Sequence, residues 1–230
     1  MPEFQGLPKD YFAFFAELKE NNNRAWFEAN KARFKESVQA PLSAFVEAMG
    51  PRLKKISKHF TADPRLNGGS IFRIYRDVRF AKDKKPYKEN GGVHFRHALG
   101  RDAHAPGFYV HIAPDEIFYG GGIWAPPPPA LAKIREAIRD NGKKWGAAVS
   151  GAAFKKRYGG VRGDALSRPP RGFAGDHPLI EDIKRKSFFA MAEGTRKRAL
   201  SPVFAGDVEA AMRDAKPLMT FLCEALGAPI

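Results

Sequence analysis

The apolar residues of this chain change their spacing once, near Asp63-Pro64-Arg65-Leu66-Asn67-Gly68-Gly69, and that change restricts the fold more than any single motif does. Before it, Tyr11, Phe14, Phe15 and Leu18 fall on one helical stripe, broken at Asn21-Asn22-Asn23. Phe27, Phe34, Val38, Leu42, Phe45 and Met49 then continue at helical spacing. Pro41 is expected to kink or divide this second helix and Gly50-Pro51 to end it, with a short helix through Leu53 and Ile56 closing the region. After Gly69 the period becomes that of extended chain, and strands are predicted near 71–80, 92–98, 107–113 and 116–124. The short link Ala113-Pro114-Asp115 suits an antiparallel hairpin better than a helical crossover.

The pattern returns to helix after the proline run 126–129, with Leu131, Ile134 and Ile138 facing inward and Asn141-Gly142 as the stop. A weaker helix surrounds Trp145 and Val149. Residues 155–178 are rich in Gly, Pro and Arg and read as a long surface loop. A short helix over 182–186, a strand over 187–192 and C-terminal helices interrupted at Pro217 complete the chain. The expectation is one α+β domain over 1–230, an antiparallel or mixed sheet flanked by an N-terminal helical hairpin and C-terminal helices. Its parts are a hairpin over 1–60, a β-rich core over 70–125, a helical stretch over 126–152, a loop-rich stretch over 153–192 and helices over 201–228.

Charge is concentrated in one place. From Phe72 to Lys88 the chain reads FRIYRDVRFAKDKKPYK and carries +5 of a formal net charge of +14. A surplus of this size favours anionic partners, and cations interleaved with Phe72, Tyr75, Phe80 and Tyr87 suggest the wall of an anion site. If 71–80 is a strand, Arg76 sits among Phe72, Ile74, Val78 and Phe80 on its apolar face, where a guanidinium needs a partner. That partner is either a carboxylate of the protein or an anionic ligand gripped by two donors. The anion contacts expected are Arg73, Arg76, Arg79, Lys82, Lys84 and Lys88, with Tyr75 and Tyr87 shaping the pocket, joined by Tyr109 and Trp124. Asp77, Asp83 and His111 are the candidate catalytic acid/base groups, His111 either pairing with Asp77 or serving as a hydrogen-bonded structural histidine.

Three blocks together resemble an uncharacterised family, domain of unknown function 2461. They are FRIYRDVRFAKDKKPYKENGG, PGFYVHIAPDEIFYGGGIWAP and RPPRGFAGDHPLIEDIKRKSFF, and the Asn-rich break before Trp26-Phe27 is similar too. The resemblance spans nearly the whole chain and implies a single full-length domain; it carries over no activity, cofactor or catalytic residue.

Other chemistry is not signalled. His94, His97, His104 and His111 lack the spacing of a zinc site, and no metal is expected. Gly120-Gly121-Gly122 either lets a ligand approach the backbone closely or forms a bulge or edge turn, without the arrangement of a dinucleotide fold, so no cofactor is implied. Cys223 lies with Met219 and Leu226 at helical spacing and is expected to be buried. The longest charge-free window, 117–132, holds four prolines and three glycines and does not suit a membrane helix. With no basic-then-apolar start, the expected location is cytoplasmic. The leading expectation is a pocket for an anionic small molecule bearing phosphate or carboxylate; the alternative is nucleic-acid binding by the same basic surface.

Overall fold

A computed structural model describes residues 4–100 and 105–230. The N-terminal part is α1 (Lys9–Glu20), α2 (Arg24–Ala29), α3 (Lys31–Phe34), a π-helical turn (Lys35–Gln39) and α4 (Ala40–Ile56). Strands β1 (Gly91–Arg96), β2 (Gly107–Ile112) and β3 (Ile117–Ile123) follow, then α5 (Pro128–Asp140), α6 (Gly142–Ser150), α7 (Ala152–Tyr158) and α8 (Ile180–Ile183). Strand β4 (Phe188–Glu193), α9 (Arg196–Ala199) and α10 (Phe204–Ala225) complete the chain. The sheet is antiparallel throughout, in the order β1-β2-β3-β4. The domain is α+β, as the change of period predicts.

Alternation along the strands gives the sheet two faces. Val93 and Phe95, Phe108, Val110 and Ile112, Ile117, Tyr119 and Ile123, and Phe188, Ala190 and Ala192 point to one side and are all buried. Helix α10 packs across β3 on this side and also against α4 and α6. It brings Phe204, Val208, Met212, Met219 and Leu222 into the same core, with Cys223 buried beside them. Burial pushes the Cys223 thiol up to about 12, so it behaves as a small hydrophobe.

The prolines do not divide the helices as expected. Pro51 lies inside α4 and Pro217 inside α10. An internal proline costs about 3 kcal/mol. Beyond Pro51 the helix still buries Leu53 and Ile56, and beyond Pro217 it buries Leu218, Met219, Phe221 and Leu222. Each such side chain is worth roughly 1.5–3 kcal/mol, so continuing the helix wins. Near Pro41 the backbone widens into the π turn just before α4, which accommodates the missing N–H without a break.

The larger difference concerns residues 71–80, which form no regular strand. Only the start touches the sheet, with Phe72 N–H donating to Gly92 O and His94 N–H to Ser70 O. The chain then folds back on itself: Arg76 N–H donates to Pro86 O, Lys88 N–H to Ile74 O, and Tyr75 and Tyr87 make an isolated bridge. Alternation alone could not hold this segment in the sheet because, past Ile74, none of its apolar positions is buried; Phe80 is 94% exposed. The other stretches shift modestly. The loop-rich part begins with α7, the short helix falls at Ile180–Ile183, and bridges Arg162–Phe189 and Ala165–Arg185 tie the loop to β4 and its approach.

Candidate functional site

The irregular hairpin of residues 72–88 is anchored to the N-terminal helices by the asparagine break. Asn22 mimics a strand partner, donating to Tyr87 O and accepting from Tyr87 N–H at 3.0 and 3.1 Å, and it also donates to Glu89. Asn23 caps α2 by accepting from Trp26 N–H. Tyr87 stacks on Phe27 with ring centroids 4.1 Å apart and is buried, so it belongs to the core and not to a pocket wall.

Most of the hairpin's cations have acceptors of their own. Arg76 pairs with Asp83 at 2.9 Å and donates to Lys85 O, so the partner it needs is a carboxylate seven residues on. Arg79 pairs with Asp77 at 2.7 Å. Lys84 donates to Val78 O and Lys88 to Arg73 O, the latter amine lying 5.5 Å from the centre of the Phe72 ring. Burial lowers the Lys88 amine below its ordinary pKa. The arginines also dispose of the expected acids. Asp77 is held at about 2 by its hydrogen bonds from Arg79, and Asp83 is lowered by the Lys85 N–H and by Arg76. Both stay ionised at neutral pH, a poor state for a general acid. Lys82 extends into solvent.

Arg73 differs. Among the described residues its guanidinium has no carboxylate partner, and it lines a cavity of about 320 Å³ between the helices and the start of the hairpin. Lys31 and Lys35 face the same space from α3 and the π turn, with Gln39, Asn67, Tyr75 and Phe27 around them. Lys31 is tied to Glu28 at 3.0 Å, whereas Lys35 has no ion pair among the described residues. No carboxylate lines this cavity among the described residues. Sequence reasoning found Arg73 and Tyr75 but missed Lys31, Lys35, Gln39 and Asn67. The i,i+4 pair Lys31/Lys35 was a legible signal, but Gln39 reaches the cavity through a π turn that no period announces.

Tyr109, His111 and Trp124 belong elsewhere, on the face of the sheet turned away from the helical core. There His111 Nε2 lies 3.2 Å from Glu116 Oε1, and its Nδ1 lies 3.3 Å from both Tyr109 Oη and Asn90 Nδ2. The Asn90 amide is a donor to Nδ1, which leaves the imidazole proton on Nε2, facing Glu116. The ring stacks on Phe118 at 4.4 Å, and burial lowers its pKa in spite of Glu116 and Asp115 nearby. Burial also raises the Tyr109 phenol to about 12. The carboxylate that orients His111 is therefore Glu116; the expected partner, Asp77, is engaged with Arg79. His97 is held apart from these groups, its Nε2 2.7 Å from Pro229 O. His104 lies outside the described residues.

These features define an α+β protein with a sheet face that is only partly covered among the described residues and a separate cationic cavity beside its N-terminal helices. The chain belongs to the family described as conserved hypothetical protein (DUF2461), whose family model matches residues 10–221. No curated protein and no solved structure matches it. Among the described residues, no helix is long and apolar enough to cross a membrane.

Proposed function

We propose that this protein binds a small molecule bearing phosphate or carboxylate in the cavity between α3, the π turn and the start of the 72–88 hairpin. The observation that carries the reading is a concave space of about 320 Å³ lined by Lys31, Lys35 and Arg73 and by no described carboxylate. A planar guanidinium and ammonium groups lining one cavity suit an anionic group. Gln39 and Asn67 offer amides to hydroxyl or carbonyl groups of the same ligand, and Tyr75 offers an aromatic wall. Asp77, Asp83 and His111 are not among the described residues that line this space, so the reading is of binding.

Calorimetric titration with inorganic phosphate and a panel of phosphorylated metabolites tests it. Binding should be lost in Arg73→Ala and in Lys35→Ala and kept in Arg76→Ala, whose guanidinium is engaged by Asp83. Equal loss in all three variants, or no binding by the unaltered protein, overturns the reading.

One observation favours nucleic acid as a second reading. Phe80 is almost fully exposed with the Arg79 guanidinium 5.9 Å from its ring centre, an arrangement on which a base can stack. Oligonucleotide binding that falls steeply with salt and with Phe80→Ala, while Arg73→Ala leaves it unchanged, supports this reading over the first.

A further inference from the structure

The open face of the sheet is not the polar surface that an uncovered antiparallel face ordinarily presents to water. The strand register places three rows across it. His111, Phe118 and Glu193 form one row; Tyr109, Gly120 and Met191 the next; Gly107, Gly122 and Phe189 the third. Glycines therefore hold the middle of the face, and the aromatic side chains stand around them as walls.

The glycines have an intramolecular cause. A Cβ on Gly120 would lie 1.9 Å from Ala190 O and one on Gly122 2.3 Å from Phe188 O, so the close approach of β4 requires both. Gly122 also has φ of +151°, a conformation that side chains disfavour. The consequence reaches beyond the sheet's own packing, because a bare floor is left between rings. The resulting cavity measures about 440 Å³ and is walled by Tyr109, Phe118, Phe189, Met191 and Trp124, with Trp124 63% exposed. No Lys, Arg, Asp or Glu lines it among the described residues. A second cavity, of about 520 Å³, shares Phe118, Phe189 and Met191 with the first and continues it.

Four charged side chains line that continuation, and two are already engaged. Asp115 pairs with Lys19, and Glu116 faces His111. Arg162 and Glu193 have no ion pair among the described residues. They approach from different ends of β4, since Arg162 bridges to Phe189 and Glu193 lies opposite Phe118. One donor group and one acceptor group without ion pairs among the described residues thus flank an apolar, ring-lined slot.

We propose that this face is a ligand site for a neutral planar heterocycle of the purine or pterin type. The rings supply stacking surface, and aromatic faces prefer flat partners with offset or edge contacts. Arg162 donates to acceptors on the heterocycle's edge and Glu193 accepts from its N–H groups. A flat acid leaves Glu193 without a donor and a flat amine leaves Arg162 without an acceptor, so each forgoes one of the two edge contacts. A polynucleotide fits less well, because among the described residues no row of cations follows the slot to hold successive phosphates. The site is independent of the cationic cavity, and its affinity should be nearly insensitive to salt.

The probe is 2-aminopurine, a fluorescent neutral heterocycle quenched on stacking. Titration with the full chain should give saturable quenching that is unchanged between low and high salt. Adenine should compete, whereas benzoate and benzylamine should compete at least tenfold more weakly. The exposed-edge double variant R162Q/E193Q should bind about tenfold more weakly without loss of fold. Met191→Trp, which fills the slot, should abolish quenching while far-UV circular dichroism stays that of the unaltered protein. Arg73→Ala should leave the titration untouched, which separates failure here from failure of the anion site. No saturable quenching, equal quenching in Met191→Trp with its fold retained, or equal competition by benzoate and benzylamine each overturns the proposal.

Discussion

The 72–88 hairpin and the open sheet face make opposite use of their side chains. The hairpin is dense in charge and largely satisfies itself: two arginines hold two aspartates, and two lysines cap backbone carbonyls. The sheet face is nearly free of charge at its centre and leaves apolar rings uncovered. Charge density is thus a poor guide to where a ligand can bind. What matters is which groups the fold leaves without partners. Among the described cations of the hairpin, Arg73 is the one that both lacks an ion pair and lines a cavity, together with Lys35 from the π turn; on the sheet a ring-lined slot lies between Arg162 and Glu193.

The comparison breaks most visibly at Gly120. Alanine there forces a Cβ into the backbone of β4, and such overpacking costs about 3 kcal/mol. Urea denaturation should report that loss, and a loss under about 1 kcal/mol would mean that β4 gives way and the slot is not rigid. A hairpin change of greater chemical severity should do less to stability and more to binding. Arg73→Ala combined with Lys35→Ala should weaken phosphate binding by tenfold or more with an unchanged melting temperature, read by calorimetry and thermal shift.

A smaller effect concerns pH. The folded state holds the His111 pKa below its ordinary value through burial, with Glu116, Asp115 and Tyr109 as the titratable groups facing it. A depressed pKa means that the unfolded chain takes up the proton first. The associated stability is present above about 6.5, the unfolded value, and is lost as pH falls through the folded value. The urea midpoint should therefore drop between pH 7 and pH 5, and His111→Gln should flatten that drop. An unchanged slope would place the acid sensitivity elsewhere. The smallest expected effect is that of Arg79→Ala. Its pair with Asp77 is fully exposed, so neither the melting temperature nor phosphate affinity should move. A fall in affinity would return Arg79 to the anion site.

Much of the fold was legible because it rests on local periodicity. The stripe Tyr11, Phe14, Phe15, Leu18 and the alternation through Phe108, Val110 and Ile112 each bury one face, and those faces meet in one core. The hairpin was misread as a strand because alternation says which side each residue takes only once a neighbour covers one side, and past Ile74 no apolar residue of 71–80 is buried. Residues Pro51 and Pro217 were misread for a related reason, since buried side chains further along outweigh the local penalty of a proline. For the site, Arg73 and Tyr75 were visible within the charged run, but Lys31, Lys35, Gln39 and Asn67 come from segments far along the chain.

The amino-acid order alone determined the α+β class, the inward faces of helices and strands, and the presence of a strongly basic block. These depend on spacing and composition, which act over a few neighbouring residues. Tertiary structure alone decided which cations are quenched and which are left open, and which face of the sheet stays bare. Pairing and covering are contacts between distant segments: Asn22 with Tyr87, Lys35 facing Arg73, β4 pressed against Gly120 and Gly122.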